Sequence, residues 1–123
     1  MIRAILSVFL LLLTVPAVAQ GPPSLTPSQP HEAKRPPKSI AKELASGDGA
    51  TQQTAIVIHS NNEGDGVGKE YEILRYLGLR PTTQSLIFDE KSGKPYDMIE
   101  VIDPMTGETR QVWFDISKYF GKF

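Results

Sequence analysis

The sequence predicts a small α+β domain with the element order β-α-β-β-β, an antiparallel meander with one helix packed on the sheet. Three observations carry this expectation. Residues 54–60 are apolar and β-branched, residues 67–77 repeat apolar side chains at helical spacing, and three alternating segments follow, joined by short turn-rich connections.

The domain is expected over residues 47–123, behind two segments of other character. Residues 1–19 open with one positive charge at Arg3, run apolar from Ala4 to Val15, break at Pro16 and end on small residues at Ala17 and Ala19. This is the pattern of a cleaved export signal, with Gln20 as the new N-terminus. The apolar run is shorter than the roughly 20 residues that span a bilayer, so no membrane span is expected after cleavage. An exported protein is therefore expected, periplasmic or extracellular. The chain has no cysteine, so it offers no acceptor for a lipid anchor, no disulfide, no thiol nucleophile and no thiolate for zinc.

Residues 20–46 read as a tether with one short helix in it. Six prolines fall in residues 20–38 with almost no large apolar side chain, which favours an extended, polyproline-like chain. At residues 39–46 Ser39 can cap two turns of helix, with Ile40 and Leu44 on one side. Eight residues are too few to hold as a helix alone, so this piece either docks or frays.

Each element of the domain has its own warrant. Residues 54–60, TAIVIHS, suit a strand buried on at least one face. Residues 61–66, NNEGDG, are turn-forming. In the helix at 67–77, Val67, Tyr71, Leu74 and Leu77 make one stripe, widened by Ile73. Gly78, Leu79 and Pro81 supply a left-handed stop, a residue to pack back on the last turn and a break. Residues 83–89 alternate, with Leu86 and Phe88 on one face. Residues 95–103 put Ile99 and Val101 on one face and Met98 and Ile102 on the other. Residues 110–116 put Val112, Phe114 and Ile116 inward and Gln111, Trp113 and Asp115 outward, or the reverse. The short connections at 91–94 and 103–107 make these three a meander, which the first strand joins at an edge or in the middle.

Charge narrows the partner class. Residues 20–46 hold four Lys/Arg against two Glu, whereas residues 47–123 hold eight Lys/Arg against twelve Asp/Glu. A folded part this acidic lacks the basic face that phosphate backbones require, so nucleic acid is not an expected ligand.

Several motifs invite chemistry. Residues 64–69, GDGVGK, imitate a phosphate-binding loop, but its first glycine is replaced by Glu63 and the magnesium-reaching Ser/Thr by Glu70. Asn61, Glu63, Asp65, Gly66 and Glu72 imitate the spacing of a calcium loop, although Gly68 stands where an apolar residue belongs. Glu70 falls inside the apolar stripe of the helix. Burial there is costly without a partner and raises the pKa; Glu70 is either a first-turn acid that complements the helix dipole and reaches water, or a buried acid that pairs with an arginine or acts in chemistry. His59 ends the first strand, and one histidine in the folded part makes no zinc site of the usual kind. Asp97 and Asp115 are candidates for a carboxylate pair, or simply mark the polar side of their strands. Trp113, Tyr119, Phe120 and Phe123 crowd the C-terminal end, as cover for the open sheet face or as a recognition patch.

Glu70-Tyr71, Gln84-Ser85-Leu86, Gly93-Lys94-Pro95-Tyr96-Asp97, Phe114-Asp115-Ile116-Ser117 and Phe120-Gly121 together resemble a small bacterial exported domain of unknown function, over about residues 47–122. The resemblance implies bacterial export and the compact β-α-β-β-β unit, and transfers no activity or site.

The expected function is a non-enzymatic module of the cell envelope or secreted fraction. It would bind a protein or peptide, or a further copy of itself, with no cofactor, metal or catalytic residue assigned. The binding or buried-acid candidates are Glu70, Trp113, Tyr119, Phe120 and Phe123. Two alternatives stand beside it: a small acid–base hydrolase using Glu70, His59 or the aspartate pair, and a calcium-stabilised module.

Overall fold

A computed structural model describes residues 35–123. The expected export signal at 1–19, its expected cleavage residues Ala17, Ala19 and Gln20, and the proline-rich stretch to residue 34 lie outside the described residues.

The first element is helix α1, Lys38–Ser46. Ile40 is fully buried in the common core and Leu44 packs against it, so these two turns dock. Residues 35–46, read from sequence as the end of the tether, belong to the same compact unit as the rest.

Strand β1 is short, Ile56–Val57. The apolar run to either side is spent on other things. Thr51 and Thr54 close a turn, Thr54 N–H donating to Thr51 O at 3.2 Å. Ile58 buries its side chain while its N–H donates to Asp115 O at 3.0 Å.

Helix α2 spans Glu63–Tyr76, so it starts four residues earlier than the apolar stripe suggests. Residues 61–66, with Gly64 and Gly66, read as a turn, yet Asn62 is an N-cap. Its Oδ1 accepts the Asp65 N–H at 2.9 Å, and Glu63 and Asp65 complement the first turn. The helix stops as expected. Gly78 has φ +71°, its N–H donates to Arg75 O, the Leu79 N–H donates to Leu74 O, and Leu79 is buried against the last turn.

Strands β2 (Arg80–Phe88), β3 (Pro95–Ile102) and β4 (Thr109–Asp115) form the antiparallel meander. β1 joins β4 in parallel, which gives one mixed four-stranded sheet of order β1-β4-β3-β2. The sheet as a whole is thus more than a meander, and two helices accompany it instead of one. β2 begins three residues early and tolerates Pro81 because it lies at the sheet edge. The register shifts between Pro81 and Thr83, and the Thr82 hydroxyl donates to Glu100 O at 3.1 Å.

One face of the sheet carries the core. Ile56, Ile99, Val101, Val112 and Phe114 meet Ile73 and Leu74 of α2 and Ile40 of α1. The first of the two orientations open for residues 110–116 is therefore the one realised. In α2 the buried stripe is Gly66, Glu70, Ile73 and Leu74, while Val67 and Leu77 are exposed at its margins. None of the helices among the described residues is long and apolar enough to cross a membrane.

Candidate functional site

Three polar side chains meet inside the core. Glu70 enters from α2, and Asp97 enters from β3 on the same alternation as Ile99 and Val101. Tyr119 comes from the turn after β4, and all three are buried. The Tyr119 ring lies flat over Gly66: a Cβ there would fall 2.4–2.6 Å from ring atoms, so only glycine fits. The Tyr119 hydroxyl donates to Glu70 Oε1, while Glu70 Oε2 has no hydrogen-bond partner among the described residues.

Burial, then the charge of Asp97, pushes the Glu70 carboxyl up to about 9, against the weaker opposing effect of the Tyr119 hydroxyl. Burial and the neighbouring Glu70 likewise hold the Tyr119 phenol far above its usual range. At neutral pH the group is therefore a protonated Glu70, a neutral Tyr119 and Asp97. Glu70 is buried and does not reach water as a first-turn acid would, but its neighbours are Tyr119 and Asp97 and not an arginine. Its surface exposure is 0 %, so a substrate proton has no route to within hydrogen-bond reach of it in this conformation.

Of the other candidates for acid–base chemistry, Asp97 meets Glu70, while Asp115 and His59 do not converge on it. Asp97 lies opposite Phe114 on the core face, whereas Asp115 lies opposite Tyr96 on the open face. The two aspartates are therefore no pair, and Asp97 does not mark a polar side. Asp115 binds Lys94 at 2.7 Å and accepts the Ser117 hydroxyl at 2.7 Å. These partners hold its carboxyl below the ordinary range despite the opposing effect of burial. His59 lines an open depression with Lys69, Lys118 and Lys122.

The two imitated loops are both taken up by helix α2. Glycines 64, 66 and 68 lie within the helix, and Lys69 Nζ donates to Glu43 Oε1 at 3.1 Å and to the His59 carbonyl. Glu63 accepts the Gly121 N–H at 3.1 Å, Asp65 accepts the Ser60 hydroxyl at 2.7 Å, and Glu72 accepts the Ser39 hydroxyl. These three acids bind in three directions, and no group of three metal-ligating side chains occurs among the described residues.

The C-terminal aromatics disperse. Tyr119 is core. Trp113 is half-buried on the open face, with its ring at 6.3 Å and 75° to Tyr96. Phe123 is in solvent. Phe120 stacks edge-on against Phe88 at 5.5 Å. Phe120 thus joins a different surface, which the alternation of β2 does not announce. Gln84, Leu86 and Phe88 do share one face, but at the sheet edge that face is poorly covered. Leu86 is 48 % exposed and Phe88 50 %. The Tyr71 hydroxyl donates to Gln84 Oε1 at 3.2 Å and ties α2 to this strand. Beyond it the outer backbone edge of β2 has no strand partner among the described residues. A nine-residue strand with a free edge and an apolar shelf beside it can accept another extended chain.

No known protein family, no curated protein and no solved structure matches this chain.

Proposed function

We propose that this chain is an exported, non-enzymatic module that binds an extended peptide or protein segment along the free edge of β2. The observation that carries the reading is the combination of that edge with its apolar shelf of Leu86, Phe88 and Phe120. Edge strands are commonly blunted by charge, proline or a bulge. Here Arg80, Pro81 and the register shift blunt one end, and residues 83–88, TQSLIF, carry no charge. An incoming strand would satisfy the outer N–H and C=O groups of that stretch. Alternate side chains of the ligand would fall on the Leu86–Phe88–Phe120 shelf and on the Ile87 side. Backbone pairing supplies affinity and the shelf supplies selectivity for apolar residues at every second position. Export rests on the leader pattern of residues 1–19 and is in keeping with the resemblance to an exported bacterial domain.

The test is selection of displayed random peptides on the purified chain, followed by amide NMR mapping of the selected binders. Shifts confined to residues 83–88 and the Phe120 region are expected, with binding weakened about tenfold or more in Phe88→Asp. Binders that leave these amides unmoved, or that bind Phe88→Asp as well as the parent, would overturn the reading. A fusion of residues 1–40 to a reporter active only outside the cytoplasm tests export separately.

A further inference from the structure

The cations of this acidic domain are unevenly spread. Four lysines gather at one end of the molecule from three separate segments: Lys42 of α1, Lys69 of α2, and Lys118 and Lys122 of the C-terminal turn. Three of them line an open depression of about 720 Å³ beside His59, Ser60 and Asn61. Lys42 stands close enough to act on His59 with Lys118 and Lys69. Three carboxylates oppose the four. Glu43 lies buried beneath Lys69 at 3.1 Å, and Asp65 lies 4.0 Å from it on the rim. Glu63 accepts the Gly121 N–H at 3.1 Å, and its own N–H donates to Lys122 O at 2.8 Å. The balance of four lysines against three acids is +1, in a domain that is otherwise acidic.

We propose that this depression binds a phosphate-bearing ligand, specifically the dianion of a phosphate monoester or of free phosphate. The local charge is positive, and lysine ammonium groups and an amide are donors suited to phosphate oxygens. Lys69 is held in place by Glu43 and by the His59 carbonyl, so it is a fixed positive wall. Lys118 and Lys122 also line the depression and are exposed, with ammonium groups that can turn toward an oxygen. Asn61 adds an exposed amide. Asp65 faces the same space, but it already accepts the Ser60 hydroxyl at 2.7 Å. The site is distinct from the β2 edge and does not depend on it.

His59 is a built-in reporter. Burial first, then Lys42 and Lys118, lower its pKa, while Glu43 acts the other way. A bound dianion cancels part of the lysine field, so it raises the pH at which the imidazole titrates. By linkage, a proton on His59 favours the bound anion, while a proton on the phosphate itself removes the dianion as pH falls, so the two protonations act in opposite directions.

The experiment is a titration of the full chain with inorganic phosphate, with ionic strength held constant by chloride, following the His59 ring and the Ser60 and Asn61 amides by NMR. A second arm measures co-sedimentation with phosphatidylcholine vesicles with and without phosphatidic acid. A saturable response with a rising His59 midpoint is expected. In Lys118→Ala/Lys122→Ala the response should weaken about tenfold. Both positions are exposed, so this variant should keep the parent melting curve, and its His59 midpoint should already be raised without phosphate. Response to soluble phosphate assigns the site to a free phosphomonoester, and response to phosphatidic acid vesicles assigns it to a headgroup. Response to neither, a linear shift equal to the chloride control, or an undiminished response in the double variant overturns the proposal.

Discussion

Asp115 and Glu70 are buried carboxyl groups on opposite faces of one sheet, and they take opposite states. Asp115 has the Lys94 ammonium at 2.7 Å and the Ser117 hydroxyl at 2.7 Å, and its carboxyl is held down in the charged form. Glu70 has a phenol and a second acid instead, and its carboxyl is pushed up to about 9. Burial opposes the charge at both. What differs is whether a cation repays the desolvation. The charged member can sit where β4 reaches a solvent-touched lysine. The neutral member can occupy the core, where it behaves as a polar core residue.

The most damaging way to break this contrast is Tyr119→Ala. It removes a buried ring from the surface of Gly66 and leaves both Glu70 oxygens without the phenol, and should cost about 3–5 kcal/mol in urea unfolding. Glu70→Gln sharpens the contrast instead. The folded chain binds the Glu70 proton more tightly than the unfolded chain. The stability this provides is therefore fully present below the ordinary carboxyl value near 4.5 and is lost as pH rises toward about 9. The glutamine variant keeps the shape and a donor for Asp97. It should flatten that decline, by up to about 1.4 kcal/mol per pH unit within the window, and be the more stable form at pH 8.

Gly66→Ala tests the same cluster sterically. Alanine favours a helix, yet its Cβ would collide with the Tyr119 ring. A net loss of about 1–2 kcal/mol is expected in place of the usual gain. A melting temperature at or above the parent's would show that Tyr119 yields easily. The smallest effect belongs to the charged partner. Asp115 is held below its ordinary value, so its contribution exists above about pH 3.8 and is lost as pH falls through the lower folded value. Lys94 is partly exposed, so Lys94→Ala should cost about 1 kcal/mol at neutral pH, less at high salt. It should also shift the acid limb of the pH–stability curve upward.

Much of the fold is written locally. The Gly78–Leu79 helix stop, the alternation of Ile99 with Val101 and of Val112 with Phe114, and the two tight connections all depend on neighbours in sequence, so periodicity and turn chemistry expose them. The early start of α2 was obscured for a local reason as well. Gly64 and Gly66 signal a turn, but Asn62 caps them into a helix, and Gly66 has a tertiary purpose that no window of sequence displays. The aromatic end misled in the same way. Trp113, Tyr119, Phe120 and Phe123 fall within eleven residues and look like one patch, yet the three after β4 point to the core, to β2 and to solvent.

The site was legible in part. Glu70 stands out because a carboxylate inside an apolar stripe is costly at any position. Its partners do not stand out, because Asp97 and Tyr119 lie 27 and 49 residues away and meet it only through the register of β3 and the return of the C-terminal turn. Leu86 and Phe88 carry the alternation of a covered strand, and the sheet order leaves them at an uncovered edge.

By itself the sequence determined the α+β class, the elements and their succession, and the misplaced acid in the helix, because these follow from period, caps and turns acting over a few residues. Only the tertiary structure decided that β1 adds in parallel to β4, that α1 belongs to the core, that Glu70 is neutral and Asp115 charged, and that β2 is the open edge. Each of those depends on which groups end up beside one another, and in a folded chain that is set by packing between segments far apart in sequence.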